Sequence, residues 1–447
     1  MKFKKAWVLS ASALAALVLL SACGSGNGNN GGGSADTGSA PADEPKVELS
    51  IWHNFSGDDL RAQTMRGLIE QYVAAHPEVK VDVQAIPPDG YKQRLKTVAA
   101  ANEMPDLFLS NPGSMIAEFY NGDLLQPIGD LLEQYPEWRD GFLPGAFEGH
   151  TFDGEIYAAP VNLSPSSIMY YNHSLFEQYD VKVPTTWDEL MTAIETFNAN
   201  GITPISMGNK AAWVAQSTII GTLADRVTGS EWFLSAVEQD GAAFTDPQFV
   251  EALGYFKQLA DAEAFQDGAN SIDNTQAEQY FIQGNAAMTL GGTWTLTNLA
   301  ATASEEALEQ VGVTVFPAIP GGAGDPNTIT ASTGQGFAMN KDVTGAQREA
   351  ALDLIYTISG PEAQQQIAQS NTLVNYQVEV DPAKVTPLFN KTYELVTSVG
   401  FTPIYDAYLS SAGTEAVNNG LQELMLGGDP ETVAQKIQNA QAEAVGN

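Results

Sequence analysis

The chain has 447 residues, 44% of them hydrophobic, and a formal net charge of −34. So acidic a surface repels phosphate backbones, which excludes nucleic acid as a partner, and the apolar content is too high for a disordered acidic chain. Cys23 is the only cysteine, so a disulfide within the chain, a cysteine-based metal centre and a thiol nucleophile are all excluded once that residue is spoken for.

The N-terminus speaks for it. Lys2, Lys4 and Lys5 form a basic head, and residues 6–20 are an apolar run without a charge. That run is too short to span a bilayer, which needs about 20 apolar residues, and it has the layout of a secretory signal. It leads into Leu20-Ser21-Ala22-Cys23, a match to the bacterial lipobox, so residues 1–22 are expected to be a lipoprotein signal peptide and Cys23 to carry the lipid. Cleavage there would remove three lysines and leave the mature chain still more acidic. Residues 23–45 are Gly, Ser, Asn, Ala and Asp with little to bury, and are expected to be a flexible tether. Their glycines lack the flanking strand, helix and Lys-Ser/Thr that a phosphate loop requires.

Val47, Leu49 and Ile51 alternate with polar neighbours and predict a strand. A helix opening near Asp58 places Met65, Leu68, Ile69, Tyr72 and Val73 on one face, and Val79, Val81 and Val83 alternate again. A helix over 91–102 and a third strand over 105–109 complete a strand–helix repeat, which predicts a parallel, doubly wound sheet. Ligands of such sheets sit beyond the carboxyl ends of the strands, here residues 53–57 and 110–113. After 156–160 a second α/β region begins. Thr186 and Glu189 form a capping box, 202–206 is a strand, and Asp246-Pro247 starts a helix bearing Phe249, Leu253 and Phe256. Strands follow over 286–290, 311–316 and 336–340. A helix near 346–358 and further helices to the end close the chain, the last capped by Asp429 ahead of Pro430.

Several phrases stand in a telling order: Ile51-Trp52, Pro105-Asp106-Leu107, Met169-Tyr170-Tyr171-Asn172, residues 184–190 (PTTWDEL), residues 284–288 (GNAAM) followed by Gly291-Gly292-Thr293-Trp294, and Asp429-Pro430-Glu431. With them the chain resembles the family 1 extracellular solute-binding proteins, the group that includes maltose-binding proteins. The resemblance runs through nearly the whole mature length. It implies two α/β lobes that close over a ligand, with residues 46–160 and 330–370 in one lobe and 161–329 and 371–447 in the other. The chain would then cross the hinge near Pro160, Ile329 and Asn371. It also implies capture of a solute for an ABC importer at the outer face of the cytoplasmic membrane, by a monomer that needs no cofactor or metal and is not an enzyme.

A sugar site needs aromatic plates with amide, carboxylate and backbone hydrogen-bond partners. The cleft-facing loops offer His53, Asn54, Phe55 and Ser56 after the first strand, Ser110 and Asn111 after the third, and Asn162 after the first crossing. Trp213, Trp294 and Tyr405 or Tyr408 are the expected plates, with Gly292 and Gln335 completing the set. Trp294 matches a family position that commonly stacks on a sugar. Trp213 lies on a predicted helix where a core placement fits equally well, and Trp52 and Trp187 are expected in the core. These loops hold no Arg or Lys apart from Lys210 nearby, which favours a neutral carbohydrate over a glycerol phosphate. A polyamine remains an alternative on the same fold, whereas a metal ligand is not supported, because Tyr170 and Tyr171 on one strand must face opposite ways and cannot both serve one site. No Ser-His-Asp order, zinc signature or phosphate loop occurs. Two carboxylates of a glycoside hydrolase leave no such trace in sequence, and only the family phrasing opposes that reading.

Overall fold

The computed structural model describes residues 46–446. The expected signal peptide, the tether and Cys23 lie outside the described residues. Within them, no helix is long and apolar enough to cross a membrane.

The first sheet runs in the order Val79–Ala85, Val47–His53, Leu107–Ser110, Gly336–Asn340, Leu125–Gln126, and Ala158–Pro160 also pairs with Gly336–Asn340. The first three strands are parallel, as the strand–helix repeat predicts. Gly336–Asn340 is antiparallel to Leu107–Ser110, with Gly336 opposite Ser110, so the sheet is mixed and not wholly parallel. The cause is the route of the chain. This strand arrives from the second half of the protein at the carboxyl end of its neighbour, with no helical crossover to reverse it, and so must run the other way. The core of this half is built from residues such as Leu49, Ile51, Leu107, Leu109, Phe337 and Ile355. Tyr72 of helix Leu60–Ala75 donates to the carbonyl of Ala350 (2.9 Å) and so ties that helix to helix Gly345–Ser359. Asp59, the N-cap, accepts from the Ala62 amide.

The second sheet runs Thr203–Ser206, Ala286–Gly291, Ile168–Asn172, Val311–Thr314. Its two faces carry separate cores. Met169 and Tyr171 face one and Ile168 and Tyr170 the other, as the two-residue period of a strand dictates. The capping box of Thr186 and Glu189 starts helix Trp187–Ala199, and helix Pro247–Asp261 buries Phe249, Leu253 and Phe256 completely. Trp187 is a packing residue, edge-on to Tyr255.

A third, small sheet joins Gly400–Pro403, Thr328–Ser332 and Ser164–Ser166. The last strand region therefore corrects the expectation of helices alone after residue 358. These strands are short and rich in Ser and Thr, and the edge strand Gly400–Pro403 leaves Phe401 exposed, so none of them carries the buried apolar pattern of a core strand. Three chain segments run between the sheets and meet here. Val161 N–H donates to the Gln335 carbonyl (2.9 Å), and Leu163 N–H to that of Leu373 (2.8 Å). The Asn375 amide donates to the carbonyls of Asn162 and Thr333. Gly334 has φ +76°, and a Cβ there would lie 1.9 Å from the Asn162 carbonyl oxygen, so only glycine lets these backbones touch.

Candidate functional site

The loop after the first strand is held from below. Arg66 donates to the carbonyls of Phe55 and Gly57 (both 2.7 Å). His53 is fully buried, and its Nδ1 accepts the Phe55 amide (3.2 Å), which places the proton of the neutral ring on Nε2. Burial, with Arg66 nearby, pushes its pKa down to about 4, so the ring is neutral under ordinary conditions. Neither the His53 Nε2 nor the Asn54 Oδ1 finds a partner among the described residues, though both are buried. The Phe55 ring is itself buried and lies under the Arg61 guanidinium, 5.4 Å from the ring centre. Ser56 is partly buried at the turn, its amide donating to the Asn54 carbonyl.

The two expected tryptophans come together. Trp213 and Trp294 meet edge to face with centroids 5.5 Å apart. The Trp294 Nε1 is buried without a described partner. Gly292 makes that placement possible, because a Cβ would lie 2.2 Å from the Trp294 ring. Tyr170 fixes the turn by donating to the Gly292 carbonyl (3.0 Å). Trp213 Nε1 donates to Asp89 of the other half (3.3 Å).

The remaining expected residues divide. Gln335 donates to Asn111 Oδ1 (3.0 Å), and its backbone amide donates to Asn162 Oδ1 (2.9 Å). The three form a chain from the end of the third strand to the first crossing. Ser110 is buried and turns its hydroxyl to the Asn111 carbonyl. Tyr405 is not an open plate: it is 1% exposed and its ring lies flat on Phe233 at 4.1 Å, inside the second core. An aromatic that opens a four-residue helix gives no sequence sign of which way it turns. Tyr408 is half exposed.

Charged residues enter that the loops do not predict, and they correct the statement that only Lys210 lies nearby. Lys210 is exposed, whereas Arg61 and Lys92 are drawn in from helices. Helical spacing alone could have found one group: Asp89, Lys92 and Lys96 recur on one face of helix Pro88–Ala100. Burial lowers the pKa of Lys92 and raises that of Asp406, and each is partly offset by the other's charge. Glu278, 1% exposed, accepts from Thr295 Oγ1 (2.6 Å), Asn298 Nδ2 (2.6 Å) and Asn274 Nδ2 (2.8 Å), and burial raises its pKa. Burial lowers the Arg61 pKa, opposed by the charges of Asp59 and Glu278. Ser114 donates to the Asp406 carbonyl (2.6 Å) and Ser411 to Glu118 (2.9 Å), so the two halves are in contact along this seam. Among the described residues no group of three His, Cys, Asp or Glu is placed to hold a metal ion.

Known proteins share this organisation. An uncharacterised ABC transporter extracellular-binding protein of Pyrococcus horikoshii is 24% identical over 262 residues, 57% of this chain and 58% of its own length. The alignment thus spans little more than half of that relative. The multiple sugar-binding protein of Streptococcus mutans is 23% identical over 361 residues, 77% of this chain and 78% of its own. A structure from work on xylan utilisation by Caldanaerobius polysaccharolyticus superposes with a TM-score of 0.80 at 27% identity, covering 88% of this chain and 99% of that one. Together with a profile match over residues 58–365, more than half of the chain, this places the protein in the bacterial extracellular solute-binding protein family.

Proposed function

We propose that this protein captures a carbohydrate outside the cell, in the seam between its two lobes, and hands it to the membrane subunits of an ABC importer. The observation that carries the reading is the pairing of Trp213 and Trp294, with the Trp294 Nε1 buried without a described partner, as are His53 Nε2 and Asn54 Oδ1. Indole faces suit the apolar face of a pyranose, and ring hydroxyls suit unpaired donors and acceptors. Sugar-binding relatives and a neighbour from xylan utilisation support the same cargo. The lobes are residues 46–160 with 330–370, and 161–329 with the rest of 371–447, except that Val374 and Tyr376 still pack in the first core, Tyr376 edge-on to Phe142 at 5.1 Å. A ligand touching both stabilises the closed form by its differential affinity for it. The protein acts as a binding component, not an enzyme, as a monomer tethered through lipid on Cys23 to the outer face of the cytoplasmic membrane.

The test is a tryptophan fluorescence titration of the full chain in detergent with xylo-, chito-, malto- and galacto-oligosaccharides. A saturable change with at least one sugar, and intact sugar recovered afterwards, is expected. A response confined to glycerol phosphate or a polyamine would overturn the cargo, and recovery of cleaved sugar would overturn the binding role.

A further inference from the structure

Helix Asn274–Ile282 starts from a capping box in which Asp273 accepts from the Gln276 amide and Gln276 accepts from that of Asp273. That start turns Ala277, Glu278 and Phe281 inward. Ala277 and Phe281 are apolar, as a buried face demands. Glu278 is a carboxylate, yet only 1% exposed. Burial strips it of water, and an apolar side chain of like size would pack there without that cost. What its oxygens hold therefore matters.

The Glu278 Oε1 accepts from Thr295 Oγ1 (2.6 Å) and Asn274 Nδ2 (2.8 Å), and Oε2 accepts from Asn298 Nδ2 (2.6 Å). Asn274 lies one turn back on the same helix. Thr295 and Asn298 belong to the neighbouring helix, Thr293–Thr302, where three residues of spacing put them on one face. Gripping a helix at two points one turn apart fixes its rotation as well as its position. The first turn of that helix carries Trp294, and it is packed from other sides too. A Cβ on Gly291 would lie 2.0 Å from Thr295 Oγ1, Tyr170 donates to the Gly292 carbonyl (3.0 Å), and Thr297 donates to the Trp294 carbonyl (2.9 Å). Rotation of the helix would swing the indole out of its edge-to-face contact with Trp213 at 5.5 Å. The negative charge of Glu278 also opposes the effect of burial on Arg61, whose guanidinium lies over Phe55 of the first lobe (5.4 Å).

We propose that Glu278 is a positioning residue for sugar binding: without touching the ligand, its carboxylate sets the rotation of helix Thr293–Thr302 and so the angle at which Trp294 presents its indole beside Trp213. The inference rests on the carbohydrate reading above, in which Trp294 stacks on the sugar. An apolar residue at 278 would fill the space but grip nothing. It would leave Thr295 and Asn298 without their acceptor and the helix free to turn.

The test uses the full chain in detergent and a double-mutant cycle of E278M and W294A, read by calorimetric titration with a sugar that binds wild type. E278M should weaken binding about ten-fold in the wild-type background, about what one indole stacking contact is worth. In the W294A background it should cost less than two-fold, since with the indole gone nothing is left to position. Without sugar, the circular-dichroism couplet of the two indoles in contact should change in E278M. Thermal unfolding checks the fold, and the near-isosteric T295V carries the same cycle if E278M does not fold. Unchanged affinity or an unchanged couplet in the folded variant would overturn the proposal. So would equal losses in both backgrounds, because a general structural role does not depend on Trp294. If wild type binds phosphate or an amine but no sugar, the carbohydrate reading fails. The couplet then decides the positioning of Trp294 by itself: a change supports it and no change overturns it.

Discussion

Replacing Gly334 with alanine perturbs the meeting point of the three crossings, and its cost can be worked from geometry. At φ +76° an alanine carries left-handed backbone strain of about 1–2 kcal/mol. Its Cβ would also stand 1.9 Å from the Asn162 carbonyl oxygen, which accepts from the buried Asn375 amide (2.9 Å). Relieving that contact means moving the carbonyl and losing the hydrogen bond, at about 1–3 kcal/mol for a buried group left unpaired. The sum is about 2–5 kcal/mol. Gly241 is the control. Its φ is +79°, yet a Cβ there has nothing within 4 Å, so G241A should cost only the backbone strain. Calorimetric melting of both variants is the assay, and G334A should melt several degrees below G241A. Equal melting temperatures would refute the claim that close packing of the crossings requires this glycine.

Trp294→Ala should weaken sugar binding about ten-fold to a hundred-fold in titration calorimetry, given the stacking energy of an indole face. Gly292→Ala should have nearly the same effect with little loss of stability, because its φ of −112° is ordinary and the new Cβ merely displaces the Trp294 ring. His150 is fully buried, with Nε2 3.0 Å from the Gly334 carbonyl, and burial holds its pKa at about 4 against an ordinary 6.5. The unfolded chain therefore binds the extra proton between these values, so stability is full above pH about 6.5 and falls as pH drops toward 4. H150Q should reduce the slope of unfolding free energy against pH in that window by up to one proton, about 1.4 kcal/mol per pH unit. An unchanged slope would contradict the assignment. Arg226, 1% exposed, donates to Thr328 Oγ1 (2.6 Å) and to the Thr328 carbonyl (2.7 Å) and lies 3.8 Å from the buried Asp225 carboxylate, so R226M should cost about 3–5 kcal/mol in denaturant unfolding by leaving that charge without its partner.

What could be read in the chain followed from regular spacing. Met65, Leu68, Ile69 and Tyr72 declare a helix face, and the capping box at Thr186 declares a helix start, because both depend on neighbours within one turn. The three-stranded Ser164–Ser166, Thr328–Ser332, Gly400–Pro403 sheet could not be read, since its strands are short and one pairing spans about 70 residues and the other more than 160. The same divide runs through the site. His53, Asn54 and Trp294 stand at a strand's carboxyl end or after a Gly-Gly turn, positions the sequence marks locally. Tyr405 turned inward onto Phe233, and Ser114 met the Asp406 carbonyl from 292 residues away, which no local pattern encodes. The site does contain cations, but they face carboxylates, and it is this balance that suits a neutral ligand.

Hydrogen exchange of the full chain, with and without a saturating sugar, tests the central claim most directly. The account predicts that one sugar slows exchange together at residues 53–57 of the first lobe and at 213–217 and 292–295 of the second. Protection in one lobe alone, or in neither while the sugar is bound, would contradict capture between the lobes.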